Sequence, residues 1–282
     1  AALDLAEDTR DRYFSAMLHY AAAWERIEAF DHAGAQEHID VMQPHLDTIE
    51  YQPYFVALQA FTDALREAAE PALVSLREHI ETERVAHRSL RAERDMVKIA
   101  GAMLHHFAGR AGAARRALAK ASPTPGSEAI QAAVDLAAGR PDDALARLAA
   151  AQRLGTMAPR VEAVTDLVLA AASLRLGHEQ AALGAVRRLA ATMDHHGLRV
   201  HLVLVPRADL LAVRDVLAAE RTDAADRIGD VADVPDLVRT HKIVSPLSRR
   251  EQVVLHELVT TPSAAESSVA LGVSPHTVKA QL

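Results

Sequence analysis

Five of the last nine residues, Ser274, His276, Thr277, Lys279 and Ala280, are of types that meet nucleic acid without breaking bonds in it. A lysine ammonium donates to the acceptor edge of guanine, and an alanine methyl packs on the thymine methyl. Bond-making chemistry has much less support. The chain has no Gly-x-x-x-x-Gly-Lys-Ser/Thr phosphate loop, no Gly-x-Ser-x-Gly elbow and no His-Glu-x-x-His helix. Fifteen histidines raise the question of a metal, above all His105-His106, His195-His196 and His201. Neighbouring residues on a helix point about 100° apart, so such pairs chelate poorly, and no metal ligand is expected. Asp142-Asp143 falls at a helix start, where acidic side chains complement the helix dipole. No catalytic residue and no cofactor is therefore expected, and the chain reads as a non-enzyme. Aromatics make up only 4% of the residues, and Trp24, Tyr51 and Tyr54 are candidates for lining a concave ligand groove, with burial in a core as the commoner fate of such side chains.

Positioning the carboxyl-terminal residues requires short helices. Ser248 and Glu251 have the spacing of a reciprocal Ser-x-x-Glu capping box, so a helix is expected from about Arg249, with Val254, Leu255 and Leu258 on one side. Thr260, Thr261, Pro262 and Ser263 interrupt it. A second helix should run from Ser263 to about Leu271 and end at Gly272, a residue that tolerates a left-handed exit. Ser274 then caps a third helix with Pro275 at its first position. Two short helices, a glycine turn and a third helix presenting His276, Thr277, Lys279 and Ala280 form the geometry that lays a recognition helix in the major groove.

These residues resemble the LuxR-type helix-turn-helix of bacterial transcription regulators, whose pattern runs L-[ST]-x-R-E-x-x-V-L, then E-I-A-x-x-L-x-[IV]-S, then T-V-K-x-H-L. The matches are Leu247, Ser248, Arg250, Glu251, Val254, Leu255, Glu266, Leu271, Val273, Ser274, Thr277, Val278, Lys279 and Leu282. The chain departs from the pattern at Ser267-Ser268, in place of an apolar Ile-Ala pair, at Thr261, where glycine is common, and at Gln281, in place of histidine. Two serines facing a small core cost burial energy unless they are hydrogen-bonded. The resemblance implies that Lys279 and Ala280 face the groove and that the Thr277 hydroxyl reaches a phosphate. The family's further helix, used for pairing two modules, has no counterpart before Leu282, so the module is expected to be incomplete.

The body of the chain carries a loose repeat. An apolar helix, a short Gly/Asp/Pro turn and an alanine-rich helix recur around residues 31, 69, 109, 139 and 177, which lie 38, 40, 30 and 38 apart. Such a period resembles tetratricopeptide-type helical hairpins stacked into a solenoid. An alanine five residues after the turn glycine lets the second helix approach the first closely. Helices are expected near 8–31, 34–48, 53–68, 71–85, 90–108, 111–121, 127–138, 141–152, 159–176 and 178–195. Val200 to Val205 is ambiguous between strand and helix and is read as helix, because no partner strand is apparent. Arg207 to Ala219 is a clear amphipathic helix after Pro206. The fold expectation is all-α, a helical-hairpin solenoid followed by a truncated helix-turn-helix. Residues 1–220 form a sensor or interaction domain, 221–246 a linker with one helical turn at Pro235–Arg239, and 247–282 the DNA-binding module.

Charge and composition agree with that division. Of 31 Lys+Arg and 38 Asp+Glu, residues 241–282 hold 4 and 3, which leaves 27 against 35 in the body. An acidic body repels DNA and only the tail is suited to approach it, so a dimer or higher homo-oligomer is expected on DNA. Absence of cysteine fits a reducing cytoplasm, and no run of apolar residues is long enough for a membrane span. Helical repeats followed by this module resemble the carboxyl-terminal part of the large ATP-dependent LuxR-type regulators typified by the maltose-regulon activator. No segment matches their nucleotide-binding part, so a portion of a longer protein, or a smaller relative, is expected. The function so implied is a transcription regulator whose repeats sense a small-molecule or protein effector and whose tail binds double-stranded promoter DNA. The alternative is a protein-binding repeat scaffold with a decayed tail that does not bind DNA.

Overall fold

The computed structural model describes residues 12–48, 52–66, 69–82, 91–219, 231–238, 253–254, 256–257 and 263–274. Every regular element among them is helical. The chain divides into two compact units, Ala1–Thr240 and His241–Leu282.

The first unit is built from antiparallel helix pairs: α1 (Arg12–Glu28) with α2 (His32–Met42), α3 (Gln52–Leu65) with α4 (Ala69–Thr82), α5 (Arg91–Phe107) with α6 (Ala111–Leu118), α7 (Pro125–Ala137) with α8 (Pro141–Arg153), and α9 (Pro159–Arg175) with α10 (Glu179–His196). A further helix, α11 (Arg207–Ala219), packs on α9 and α10. Four of the pairs share one turn. Phe30, Gly109, Gly139 and Gly177 adopt the left-handed conformation, with φ of 58°, 73°, 76° and 72°. In each, the amide of the following residue reaches back five positions, as in Arg110 to His105 at 2.7 Å and His178 to Ser173 at 2.8 Å. That is the closure of a Schellman cap, which satisfies carbonyls orphaned at a helix end. Five residues beyond each left-handed position stands a buried alanine, namely Ala35, Ala114, Ala144 and Ala182. A methyl there is all that fits between the two helices.

The turn expected at Asp31 is therefore centred one residue earlier, on Phe30, and Asp31 instead caps α2 through the Gly34 amide at 2.9 Å. Residue 69 is the first residue of α4. The expected helix 34–48 gives way after Met42 to a 3-10 helix, Gln43–Thr48, because Pro44 lacks an amide proton and cannot continue the ladder. Two helices, α7 and α9, are buried on nearly every side, for instance at Ala132, Val134, Leu136, Leu167, Val168 and Ala171, so they form the spine of the unit.

Val200–Leu204 is a 3-10 helix, not an α-helix. Pro206 forces the residue before it out of the helical region, and Val205 is extended at φ −114°, ψ 153°. The whole stretch Val200–Val205 is buried. It is knitted to distant elements, for the His106 Nε2–H donates to the Leu204 carbonyl at 2.9 Å, across 98 positions. Glu28, at the end of α1, accepts from the amides of Arg199 and Val200 at 2.7 Å each. The first pair thus touches the last, whereas in a plain solenoid each repeat meets only its neighbours.

Residues 231–238, expected within a linker, pack against this unit. Val231, Val234, Leu237 and Val238 are buried, and the Arg207 guanidinium donates to the carbonyls of Val231 and Val234. The helical turn in this stretch is Val231–Asp233 and not the expected Pro235–Arg239. No helix among the described residues is long and apolar enough to cross a membrane.

Candidate functional site

In the second unit the best-defined element is α12 (Ala264–Ala270). The Ser263 side chain accepts from the Glu266 amide at 3.4 Å, a helix start of the kind its position before Ala264-Ala265-Glu266 demands. The helix closes through Gly272 at φ 64°, with the Val273 amide donating to the Ser268 carbonyl at 3.0 Å. Ser267 and Ser268 are buried, so the pair that replaces the apolar residues does point inward, while Val269 is 82% exposed. Ser274 is exposed just beyond the turn. His276, Thr277, Lys279 and Ala280 lie outside the described residues.

In the first unit α1, α3 and α5 border an open cavity of about 320 Å³. Its walls include Tyr20 and Trp24 from α1, Phe61 from α3, and Met96, Ile99 and Met103 from α5, and Arg160 at the start of α9 supplies its charge. Tyr20 and Trp24 share a face of α1 because they are four residues apart. Tyr20 organises the aromatics, meeting Trp24 at 6.3 Å, Tyr54 at 6.1 Å and Phe55 at 5.6 Å, all near edge-to-face, while Trp24 lies 5.9 Å from Phe61. Burial pushes the Tyr20 phenol pKa up, against the opposing pull of the nearby Trp24 indole and of the Arg160 charge.

The Arg160 guanidinium sits 4.4 Å over the Trp24 ring, close enough for a cation–π contact. Its Nε and Nη2 both donate to Glu28 Oε1, at 3.2 and 2.7 Å. Glu28 Oε2 takes the two amides at 199 and 200, so this one carboxylate is shared by four donors. Arg199 turns its own guanidinium over the ring of Phe30, at 5.2 Å.

Comparison with protein-family models, curated proteins and solved structures finds no match. The geometry alone therefore has to say what the cavity can hold. It is a slot of aromatic and thioether surface with one guanidinium in its lining, suited to a ligand that is mostly apolar and carries one polar group.

Of the aromatics singled out in the sequence, Trp24 lines the slot. Tyr54 supports Tyr20 and is not part of the lining, and Tyr51 lies outside the described residues. Sequence reasoning missed Arg160 and Glu28. They are 132 positions apart, and an arginine after a helix-initiating proline carries no signal of its own. A second depression, about 530 Å³, lies between α6, α7 and α8 and is lined by Arg115, Arg116, Arg147, Glu128 and Gln131. Buried Asp135 on α7 is ringed by Arg115, Arg140 and Arg147, which places that basic cluster in structural service.

The histidines do other work. His106 is buried and bonded to Leu204, and His195 and His196 lie edge to face at 4.5 Å. No group of three or more metal-ligating side chains comes together among the described residues.

Proposed function

We propose that this protein is a LuxR-type transcription regulator whose helical pairs sense an effector and whose carboxyl-terminal unit binds promoter DNA as a homo-oligomer in the cytoplasm. The observation that carries the reading is the order of the three motifs from Leu247 to Leu282. Support comes from α12, a capped helix that begins at Ser263 and turns out through left-handed Gly272 toward Ser274, as the middle helix of such a module must. The acidic first unit, with its apolar slot, is suited to sensing and not to DNA contact.

The test is selection of binding sites from randomised duplex DNA at low salt. An enriched inverted-repeat sequence is expected, with Lys279→Ala weakening binding to it by about ten- to a hundredfold if the ammonium reads a base. Uniform recovery of all sequences would count against the proposal. It would favour the second reading, a repeat scaffold with a decayed tail, for which the buried Ser267-Ser268 pair is the specific observation.

A further inference from the structure

We infer that the slot between α1, α3 and α5 is the effector site and that its ligand is a small aromatic or otherwise apolar carboxylate, held with its carboxylate on Arg160 and the Tyr20 hydroxyl. The inference deepens the sensing half of the proposed function and rests on it for its biological meaning, although the binding itself can be measured without DNA.

Four observations converge on that ligand class. The side walls offer only rings, thioethers and aliphatic carbon, so the body of the ligand must be apolar. At about 320 Å³ the volume is at the lower end of ligand cavities, roughly 300–1,000 Å³, which suits a compact molecule better than a peptide helix. Local charge is the third. Arg160 is the charged side chain of the lining, and its partner Glu28 lies outside the lining with both oxygens already taken by four donors. The slot thus presents a cation and no anion on its walls, which favours a carboxylate over an amine.

The fourth is the free donors. Glu28 engages Nε and Nη2 of Arg160 and the indole covers one face of the guanidinium, yet Nη1 has no hydrogen bond among the described residues. Tyr20 lines the same slot, and burial pushes its phenol pKa up, so its hydroxyl keeps a proton to donate. Two donors on the walls of one apolar slot match the two oxygens of a carboxylate. The side chain of Arg160 is 41% exposed, so a ligand can reach it from solvent.

Trp24 is the only tryptophan of the chain, which makes its fluorescence a direct reporter of the slot. The experiment titrates the whole chain with 2-naphthoate, with neutral 2-naphthamide and with 2-naphthylmethylamine, reading Trp24 quenching and, in parallel, calorimetric heat. Saturable one-to-one binding of naphthoate is expected, at least about tenfold tighter than that of the amide, with the amine weakest. Arg160→Met should abolish the preference for the acid. Because that change strands Glu28, the double variant Glu28→Gln/Arg160→Met is measured beside it. Ala57→Phe, which fills the slot from α3 and leaves Arg160 in place, should abolish binding of all three compounds while circular dichroism stays native. Equal affinity for acid and amide, unsaturable quenching, or naphthoate binding that survives Ala57→Phe would each overturn the inference, the last two by pointing to surface adsorption or to a slot that seats a protein segment. Site selection on DNA is done without naphthoate and naphthoate titration without DNA, so the failure of one leaves the other readable.

Discussion

Burial at 1% exposure, and secondarily the nearby Arg160 charge, hold His201 neutral, with its pKa pushed down from 6.5 to about 3. Neither ring nitrogen has a hydrogen bond among the described residues. The unfolded chain takes up this proton near 6.5 and the folded chain does not, so stability is lost as pH falls from about 6.5 toward 3, by at most about 1.4 kcal/mol per pH unit. Asp95 acts in the same direction at lower pH. Donation from Lys98 at 2.8 Å and from the Ser122 amide at 2.9 Å holds its carboxyl well below the usual range, so its contribution disappears only in stronger acid. Thermal unfolding followed from pH 7.5 to 4.5 should therefore show a falling melting temperature in the native protein and a flatter profile in His201→Leu. At pH 7 the leucine variant should be neutral or more stable by about 1 kcal/mol, since an apolar group replaces one with unmet hydrogen bonds. An unchanged pH slope in that variant would assign the acid sensitivity to other groups. Phe30 is the other residue under constraint, a non-glycine at φ 58° whose ring is covered by Arg199.

The helical hairpin is the element that repeats, and its left-handed turn residue is its most exacting position. A Cβ built on Gly177 would meet nothing within 4 Å, so Gly177→Ala tests backbone strain alone, free of any clash. The expected loss is about 1–2 kcal/mol by urea denaturation. An equally stable alanine variant would mean that the α9–α10 turn relaxes. Much of this element was legible in the chain: Gly109, Gly139 and Gly177 and the alanines five places on are local signals, and the helices they separate appear within a few residues of their expected bounds. Phe30 hid the first hairpin's turn residue because nothing in its side chain advertises a left-handed backbone. Val200–Leu204 and 231–238 were hard to read because their conformations are set by what buries them and not by their own periodicity. In the candidate slot Trp24 was legible as a rare aromatic, whereas its partner Arg160 depends on a contact across the array that no short-range pattern encodes.

At the scale of the whole first unit, Glu28 is the residue that joins beginning to end. Its side chain is 13% exposed and binds the 41%-exposed Arg160, so Glu28→Gln should cost roughly 1–2 kcal/mol in denaturant melts, chiefly by leaving two amides with a poorer acceptor. It should also change Trp24 emission, because the guanidinium over the indole loses its anchor. Loss of stability without any change in emission would mean that Arg160 keeps its place by stacking alone. The same tie orders events during synthesis. The Arg199 amide lies 171 positions after the carboxylate it binds. At about 5–20 residues per second, the interval between their translation is roughly 10–30 s. Through most of that interval α1 can pack on α3 through Phe55 and Phe61, but its end at Glu28 waits first for Arg160 and then for the amides at 199 and 200. The tie from Glu28 is therefore completed only after the last hairpin has been made, although most of the packing is between helices adjacent in sequence and can form earlier.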